Sequence, residues 1–285
     1  MNHLLRELAP ISTAGWQEIE KEAARTLKTT LAARRLVDFD GPQGWTASAV
    51  GLGRSEGIAS LVSGPDGGRI RARLRKVLPL VELRVPFEMN LADLENAERG
   101  AKDVDTDAVI DAARAIAMAE DRAVFHGFAA AGIRGICEAQ AGEGLQIGED
   151  YERFPEIVAT ALNRLRDEGV DGPYAIALGE ECYKGVTDTT HGGYPVLDHI
   201  RHLVDGPLVW APGIEGAVVL SMRGDDFQLT VGEDFSIGYL GHDNDKVRLY
   251  IEETFTFWLL SPQAAIPLVH RAAATAAEPA RAAAE

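Results

Sequence analysis

An α+β fold is what this 285-residue chain predicts, and three observations predict it. Apolar residues recur at helical spacing near 12–36, 104–131 and 154–168. Strand-like runs crowd the last third, as GAVVLSM, FQLTVG and KVRLYIEETFTFWLL. Between the first two helical blocks, the turn signal GPDGG precedes the strictly alternating RIRARLRK. Long strands and a long helix joined by an extended ribbon describe a flat, elongated molecule.

The N-terminal helix is read over residues 12–36. Ser12 or Thr13 can cap it, and Trp16, Ile19, Ala23, Leu27 and Leu31 form its apolar stripe. Arg25, Lys28, Arg34 and Arg35 give it a basic polar face. DFDGPQGW at 38–45 breaks it, because Gly41, Pro42 and Gly44 favour a turn. In the ribbon that follows, Arg69, Arg71, Arg73 and Arg75 point one way, and Ile70, Ala72 and Leu74 the other. A two-stranded ribbon is marginal in water by itself, so both faces ask for a surface to lie against. VLPLVELRVPFEMN at 77–90 reads as buried strand. The helix over 104–131 takes Asp105 or Thr106 as cap and Val109, Ile110, Ala113, Ile116, Ala117, Val124 and Phe128 as stripe. A third helix stops at Gly169, and YAIAL at 174–178 is a short apolar strand. In the last strand, Val247, Leu249, Ile251, Phe255 and Phe257 alternate with Arg248, Tyr250, Glu252, Thr254 and Thr256. From Ala272 the chain is low-complexity, which suggests a frayed or helical tail.

Bulk properties remove several classes of function. A net charge of −16 disfavours nucleic acid and anionic lipid, which call for a basic face. Two cysteines, Cys137 and Cys182, without CxxC spacing rule out a disulfide framework and a thiolate zinc site. The N-terminus lacks the basic-then-apolar order of a signal peptide, and no apolar run reaches the roughly 18 residues of a membrane span, so a cytoplasmic protein is expected.

Catalytic signatures fail one after another. GLGRSEG at 51–57 spaces its third glycine one residue too late for a dinucleotide fingerprint and opens no helix. Walker-type, GxSxG and HExxH motifs are missing. Cys137 reads as a small buried residue, and His126 as a hydrogen-bonded structural one. Adjacent Glu120 and Asp121 diverge by about 100° on a helix, a poor start for acid–base work. His199 and His202 have i, i+3 spacing, yet they share a helix face with Asp198 and Arg201 and read as solvated; a metal-dependent hydrolase using them is the enzymatic alternative. TTHGGYPVLDHI at 189–200 permits a metal site, a phosphate cradle or a bend.

Six blocks in order resemble one family: RELAPISTAGWQEIEKEAARTLKTTLAARRLVDFDGPQGW, LVELRVPFEMNLADLENAERG, AEDRAVFHGFAAAGIRGI, DGPYAIAL, GGYPVLDHI and DFSIGYLGHDNDKVRLYIEETFTF. Together they are similar to the encapsulin shell proteins of bacterial nanocompartments (family 1, linocin-type bacteriocin-like) over roughly residues 1–268. The resemblance implies the tailed-phage major capsid protein fold of the Hong Kong 97 type. Residues 1–40 would be the N-terminal helix of a peripheral domain and 41–80 an extended β-hairpin loop. The peripheral domain with its spine helix would take 81–131, an axial domain with a pore loop 132–225, peripheral strands 226–269 and a tail 270–285. A phage major capsid protein, sharing the fold but packaging DNA, is the alternative, and the acidic charge speaks against it.

The resemblance also implies a non-enzymatic role: an icosahedral shell of sixty copies, or a multiple, around a cargo enzyme. Cargo in the family includes dye-decolourising peroxidases and ferritin-like proteins, docked by a short targeting peptide. By matched motif, the docking groove would draw on Leu27, Leu31, Arg34, Asp38, Phe235, Ile237 and Tyr239. An apolar groove with one cation and one anion suits a peptide with hydrophobic anchors. The pore loop would carry Glu181, Asp188, His191, Gly192 and Gly193, with Glu180 nearby, and admit small solutes and ions. The arginine ribbon would be the inter-subunit arm. Some relatives hold flavin against a tryptophan after the ELR motif; RVPFEMNLADLEN has none, so no cofactor is expected. Neither a nucleic-acid nor a membrane partner is expected.

Overall fold

The computed structural model describes residues 3–58, 72–140 and 144–270. Helix α1 (Thr13–Thr30) starts where Ser12 Oγ accepts the Gly15 N–H at 3.2 Å. It stops six residues short of the expected end. Leu31 turns extended, and Ala33–Arg35 form a 3₁₀ turn. The cause lies elsewhere in the chain: the Asp121 carboxylate accepts the N–H groups of Ala32 and Ala33 at 2.8–3.1 Å, which pins the elbow. DFD, read as part of the break, is the short strand β1 (Asp38–Asp40).

β2 (Ala49–Ile58) and β3 (Ala72–Pro79) form an antiparallel ribbon. Arg69 and Arg71 lie outside the described residues. Arg73 and Arg75 are exposed with Val77 on one face, and so is Leu74 on the other; Leu74 and Val77 remain about half accessible. The run 77–90 is not one buried strand. β4 (Val81–Asn90) starts afresh after Leu80 and buries only Phe87 and Met89, because Glu82, Arg84, Pro86 and Glu88 face outward.

After α2 (Leu91–Glu98), α3 (Asp107–His126) runs for about 30 Å. Thr106 takes the cap position, and the helix ends at Gly127 rather than near 131. With φ at +82°, and Glu138 filling the space a Cβ would need, that position accepts only glycine.

A second unit follows: β5 (Leu145–Ile147), α4 (Phe154–Asp167), β6 (Tyr174–Leu178), α5 (Glu180–Asp188), β7 (Thr190–His191), β8 (Tyr194–Pro195), α6 (Val196–Leu203), β9 (Leu208–Trp210) and β10 (Ala217–Ser221). The chain then returns to the first unit as β11 (Phe227–Val231), β12 (Ser236–His242) and β13 (Lys246–Leu259). β14 (Ala265–His270) crosses back once more. Expected among the strands of 226–269, it lies instead between β10 and β5.

The first sheet is therefore β1-β11-β13-β12, with β4 on the far side of β13; the second is β5-β14-β10-β6-β9. β13 organises the first. Residues 246–255 pair with β4 along one edge, while β12 and then β11 share the other. The expected in-and-out alternation fails here, because Tyr250, Glu252 and Thr256 are buried too. Arg84 covers Tyr250, its guanidinium 4.2 Å from the ring centroid, and pairs with Glu252 at 2.5 Å.

Two apolar cores result. One joins Ile19 and Ala23 of α1, Val109 to Ile116 of α3, Phe87 and Met89 of β4, and Val247, Leu249 and Ile251 of β13. The other holds Ala123 to Phe125, Phe255, Phe257 and the whole second sheet. α3 and β13 belong to both.

Ile116 is fully buried in the first core, so Ile116→Ala removes apolar contacts that cannot relax. The variant should lose about 2–5 kcal/mol in urea unfolding. A loss below about 1 kcal/mol would mean that α3 is not packed as described.

Candidate functional site

Where the two cores meet, α3 and β13 present charges instead of carbon. Arg34, on the 3₁₀ turn after α1, grips Glu120 through Nε (3.0 and 2.8 Å) and Nη2 (2.6 Å). The same Nη2 donates to Glu253 at 3.0 Å, and Nη1 donates to Asp234 at 2.7 Å. Glu120 and Glu253 are fully buried, whereas Asp234 is partly open. The planar guanidinium suits this fork of carboxylates in a way lysine does not. Phe235 and Phe39 stack on it, with centroids 4.4 and 5.3 Å away.

Burial opposes the Arg34 charge, but Glu120, Glu253 and Asp234 together raise its pKa. Burial also lifts Glu253 well above the usual carboxylate range, aided by repulsion from Glu120 and a hydrogen bond to it. Asp121, fully buried beside them, is raised to about 7, chiefly by burial and against the pull of the Ala33 and Ala32 N–H groups. One cation among these buried acids leaves a cluster that favours holding a proton.

The apolar residues expected to line a docking groove lie on or beside α1 and β12. Leu27, Phe235 and Tyr239 are half-buried, with Trp16 further along α1. Ile237 and Leu31 are buried, so neither offers a side chain at the surface. Arg34 does not present a free cation at the rim, since three carboxylates already engage it. Asp38 turns away: its carboxylate accepts the Asp225 N–H at 2.7 Å on another side of the sheet. Phe39, the next residue, stacks on Arg34 and is itself exposed.

Glu120 and Glu253 were missed as partners of Arg34, although the signal was present. Glu120 lies four residues from both Ile116 and Val124 on the stripe, and Glu253 shares parity with Ile251 and Phe255.

The stretch at 189–200 resolves into a bend. β7 and β8 pair as Thr190↔Pro195 and His191↔Tyr194, and Gly192 and Gly193, with φ of +59° and +86°, make the two-residue turn. His191 is exposed, 3.9 Å from Glu152, with its ring edge-on to His199. Asp188 ends α5 beside this hairpin, but Glu181 opens the same helix about 10 Å away along its axis. Glu181 instead lies 3.8 Å from His270, next to Cys182. The expected pore residues therefore form two groups.

The remaining candidates are structural. His126 Nε2 accepts the Glu215 N–H at 3.1 Å, and burial lowers its pKa. Burial pushes Cys137 up to about 12 and Cys182 up to about 11, so both stay thiols. His202 Nδ1 lies 2.6 Å from the Asp198 carbonyl on its own helix. Among the described residues no three His, Cys, Asp or Glu side chains are placed to hold a metal ion.

Residues 1–256 match the family model described as Linocin_M18, encapsulating protein for peroxidase. The chain is 56% identical over 270 residues to a type 1 encapsulin shell protein of Rhodospirillum rubrum, covering 94% of this chain and 96% of the relative. Among solved structures, the virus-like particle from Pyrococcus furiosus overlays with a TM-score of 0.57 at 15% identity, over 88% of this chain and 98% of that one. Mycobacterium phage Ogopogo gives 0.56 at 14%, over 85% and 92%. The two overlays show a fold shared with phage capsids.

The raised carboxyls set a pH dependence. In the folded state Asp121 keeps its proton from its ordinary 3.8 up to about 7, so its stabilising share is full below about pH 4 and is lost as pH rises towards 7. Glu253 acts in the same direction. Urea midpoints taken across that range should fall less steeply for Glu253→Gln and Asp121→Asn than for the parent chain. Slopes identical to the parent would remove the cluster as their source.

Proposed function

The chain belongs to the encapsulin shell proteins, and on that footing we propose that its copies close into an icosahedral shell of sixty subunits or a multiple, with a cargo enzyme held against the inner wall. The cargo is a dye-decolourising peroxidase or a ferritin-like protein, and catalysis resides in it rather than in the shell. A short targeting peptide on the cargo docks in the groove between α1 and β12. The compartment is cytoplasmic and serves iron storage or defence against oxidative stress.

The observation that carries this reading is the β2–β3 ribbon. Ile58 and Leu74 on one face, and Val77 on the face of Arg73 and Arg75, are each about half exposed, and both arginines are exposed as well. Unlike a lone surface leucine, an apolar row on an extended arm calls for a partner. A neighbouring copy with a net charge of −16 supplies acidic surface for the arginines. The groove supports the cargo half of the proposal: Leu27, Phe39, Phe235 and Tyr239 offer anchors for apolar side chains on a polar surround.

Small solutes and ions pass through a pore built from the β7–β8 hairpin. Gly192 and Gly193 make it narrow enough for several copies to approach one axis, and exposed Asp188 and His191 set the charge of the passage. The acidic charge argues against nucleic acid as content. Among the described residues no helix is long and apolar enough to cross a membrane.

Electron microscopy of the purified protein should show closed particles, and a co-expressed peroxidase carrying its terminal peptide should co-purify with them. Leu27→Arg places a charge in the groove and should cut cargo retention at least tenfold with particles intact (a cost of about 1.4 kcal/mol or more). Full retention by the variant would move docking away from this groove. A monodisperse monomer would overturn the proposal.

A further inference from the structure

The groove is not empty along its whole length. Residues 3–8 of the same chain lie across the end formed by β12 and the first turns of α1. The Tyr239 N–H, on the edge of β12 facing away from β13, donates to the Leu4 carbonyl at 2.8 Å. Leu4 itself is buried, only 8% exposed. Arg6 lies over the Trp16 ring at 4.1 Å and pairs with Glu20 at 2.6 Å. His3 stacks on Trp45, centroids 4.6 Å apart, and approaches Glu252 at 3.1 Å. A backbone rung, a buried leucine and a cation held between an aromatic face and a carboxylate are the means by which a sheet edge reads an extended peptide.

The resident segment fits this edge imperfectly. Leu5 sits at φ +51°, ψ +26°, left-handed backbone that a leucine adopts only at a cost. The kink lifts the chain into the 3₁₀ turn Arg6–Leu8 immediately after the Tyr239 rung, and leaves Leu8 60% exposed. An extended chain, free of that kink, could add further backbone rungs along the outer edge of β12 beyond the one at Tyr239.

We propose that the outer edge of β12, with the Trp16 face of α1, is a strand-addition site for an extended peptide bearing adjacent leucine-sized side chains followed by a cation, and that residues 3–8 occupy this site in cis until such a peptide displaces them. This deepens, and rests on, the reading of the α1–β12 groove as the cargo-docking site. Docking is then an exchange. Each incoming peptide must release an N-terminal segment, so the observed affinity reports the difference between the two occupants. The chemistry of the resident segment, His-Leu-Leu-Arg-Glu-Leu, states what the site accepts.

The probe is a fluorescein-labelled peptide with the sequence of residues 3–10, HLLRELAP, titrated into full-length particles and into particles lacking residues 1–10, which retain the Ser12 cap. Fluorescence anisotropy should show at least tenfold tighter binding to the truncated particles, lost when both adjacent leucines of the peptide become serine. Full-length Leu4→Asp loosens the segment without shortening the chain, and should shift affinity the same way if the truncation fails to assemble. Equal affinity for full-length, truncated and Leu4→Asp chains would overturn the proposal. Cargo retention separates this outcome from the broader reading. If peroxidase is retained equally by full-length and truncated particles and the peptide distinguishes neither, cis occupancy is wrong while encapsulation stands. If the peptide binds the truncated chain but no particle retains cargo, the strand-addition site stands and the cargo reading falls.

Discussion

The structure turns on one buried cation. Arg34 sits where the apolar core under α1 gives way to the core of the second sheet, and it ties the elbow after α1 to α3 through Glu120 and to β13 through Glu253. α3 and β13 are the two elements that pass through both cores. A charge shared by Glu120 in the last third of α3 and Glu253 near the middle of β13 therefore sets how the halves of the molecule are registered against each other. Such a cluster is not chosen for stability alone, because desolvating three charges offsets much of their attraction. What it provides is direction. Apolar packing tolerates small slides, whereas a forked guanidinium with five donors accepts only one arrangement of its carboxylates. A subunit that must meet identical copies at fixed angles has particular need of that rigidity.

Rigidity at the centre contrasts with unfinished surfaces at the periphery. The β2–β3 ribbon exposes apolar residues on both faces, and a kinked piece of the N-terminus covers the edge of β12 at Tyr239. An extended sheet edge left open invites pairing with other chains. The partners proposed above are a neighbouring subunit for the ribbon and an extended peptide for the edge. The charge of −16 per chain opposes indiscriminate association and is screened by salt, so assembly reflects specific contacts working against general repulsion.

Much of this was legible in the residues. β13 spans Lys246–Leu259 and β6 spans Tyr174–Leu178, where the sequence shows a long alternating run and a short apolar one. The missed features share one physical origin: partners far apart in sequence. α1 ends at Thr30 because Asp121, about ninety positions away, takes the N–H groups that would have continued it. Both faces of β13 are buried because Arg84 and His3 arrive from other segments to cover Tyr250 and Glu252. Arg34 and Asp38, read as the charged rim of the groove, are engaged by Glu120, Glu253 and Asp234 in one case and by the Asp225 N–H in the other. The pattern Ile116, Glu120, Val124 announced a buried acid, and only its counter-ion was hidden.

The most direct test of the central role of Arg34 is the unfolding free energy of Arg34→Met, alone and combined with Glu253→Gln, at neutral pH. Removing the cation orphans buried carboxylates, so the single variant should lose about 3–5 kcal/mol. Replacing one of those carboxylates by its uncharged analogue should recover a substantial part of that loss, a positive coupling between the two sites. An Arg34→Met chain as stable as the parent, or a double variant whose losses simply add, would contradict the account.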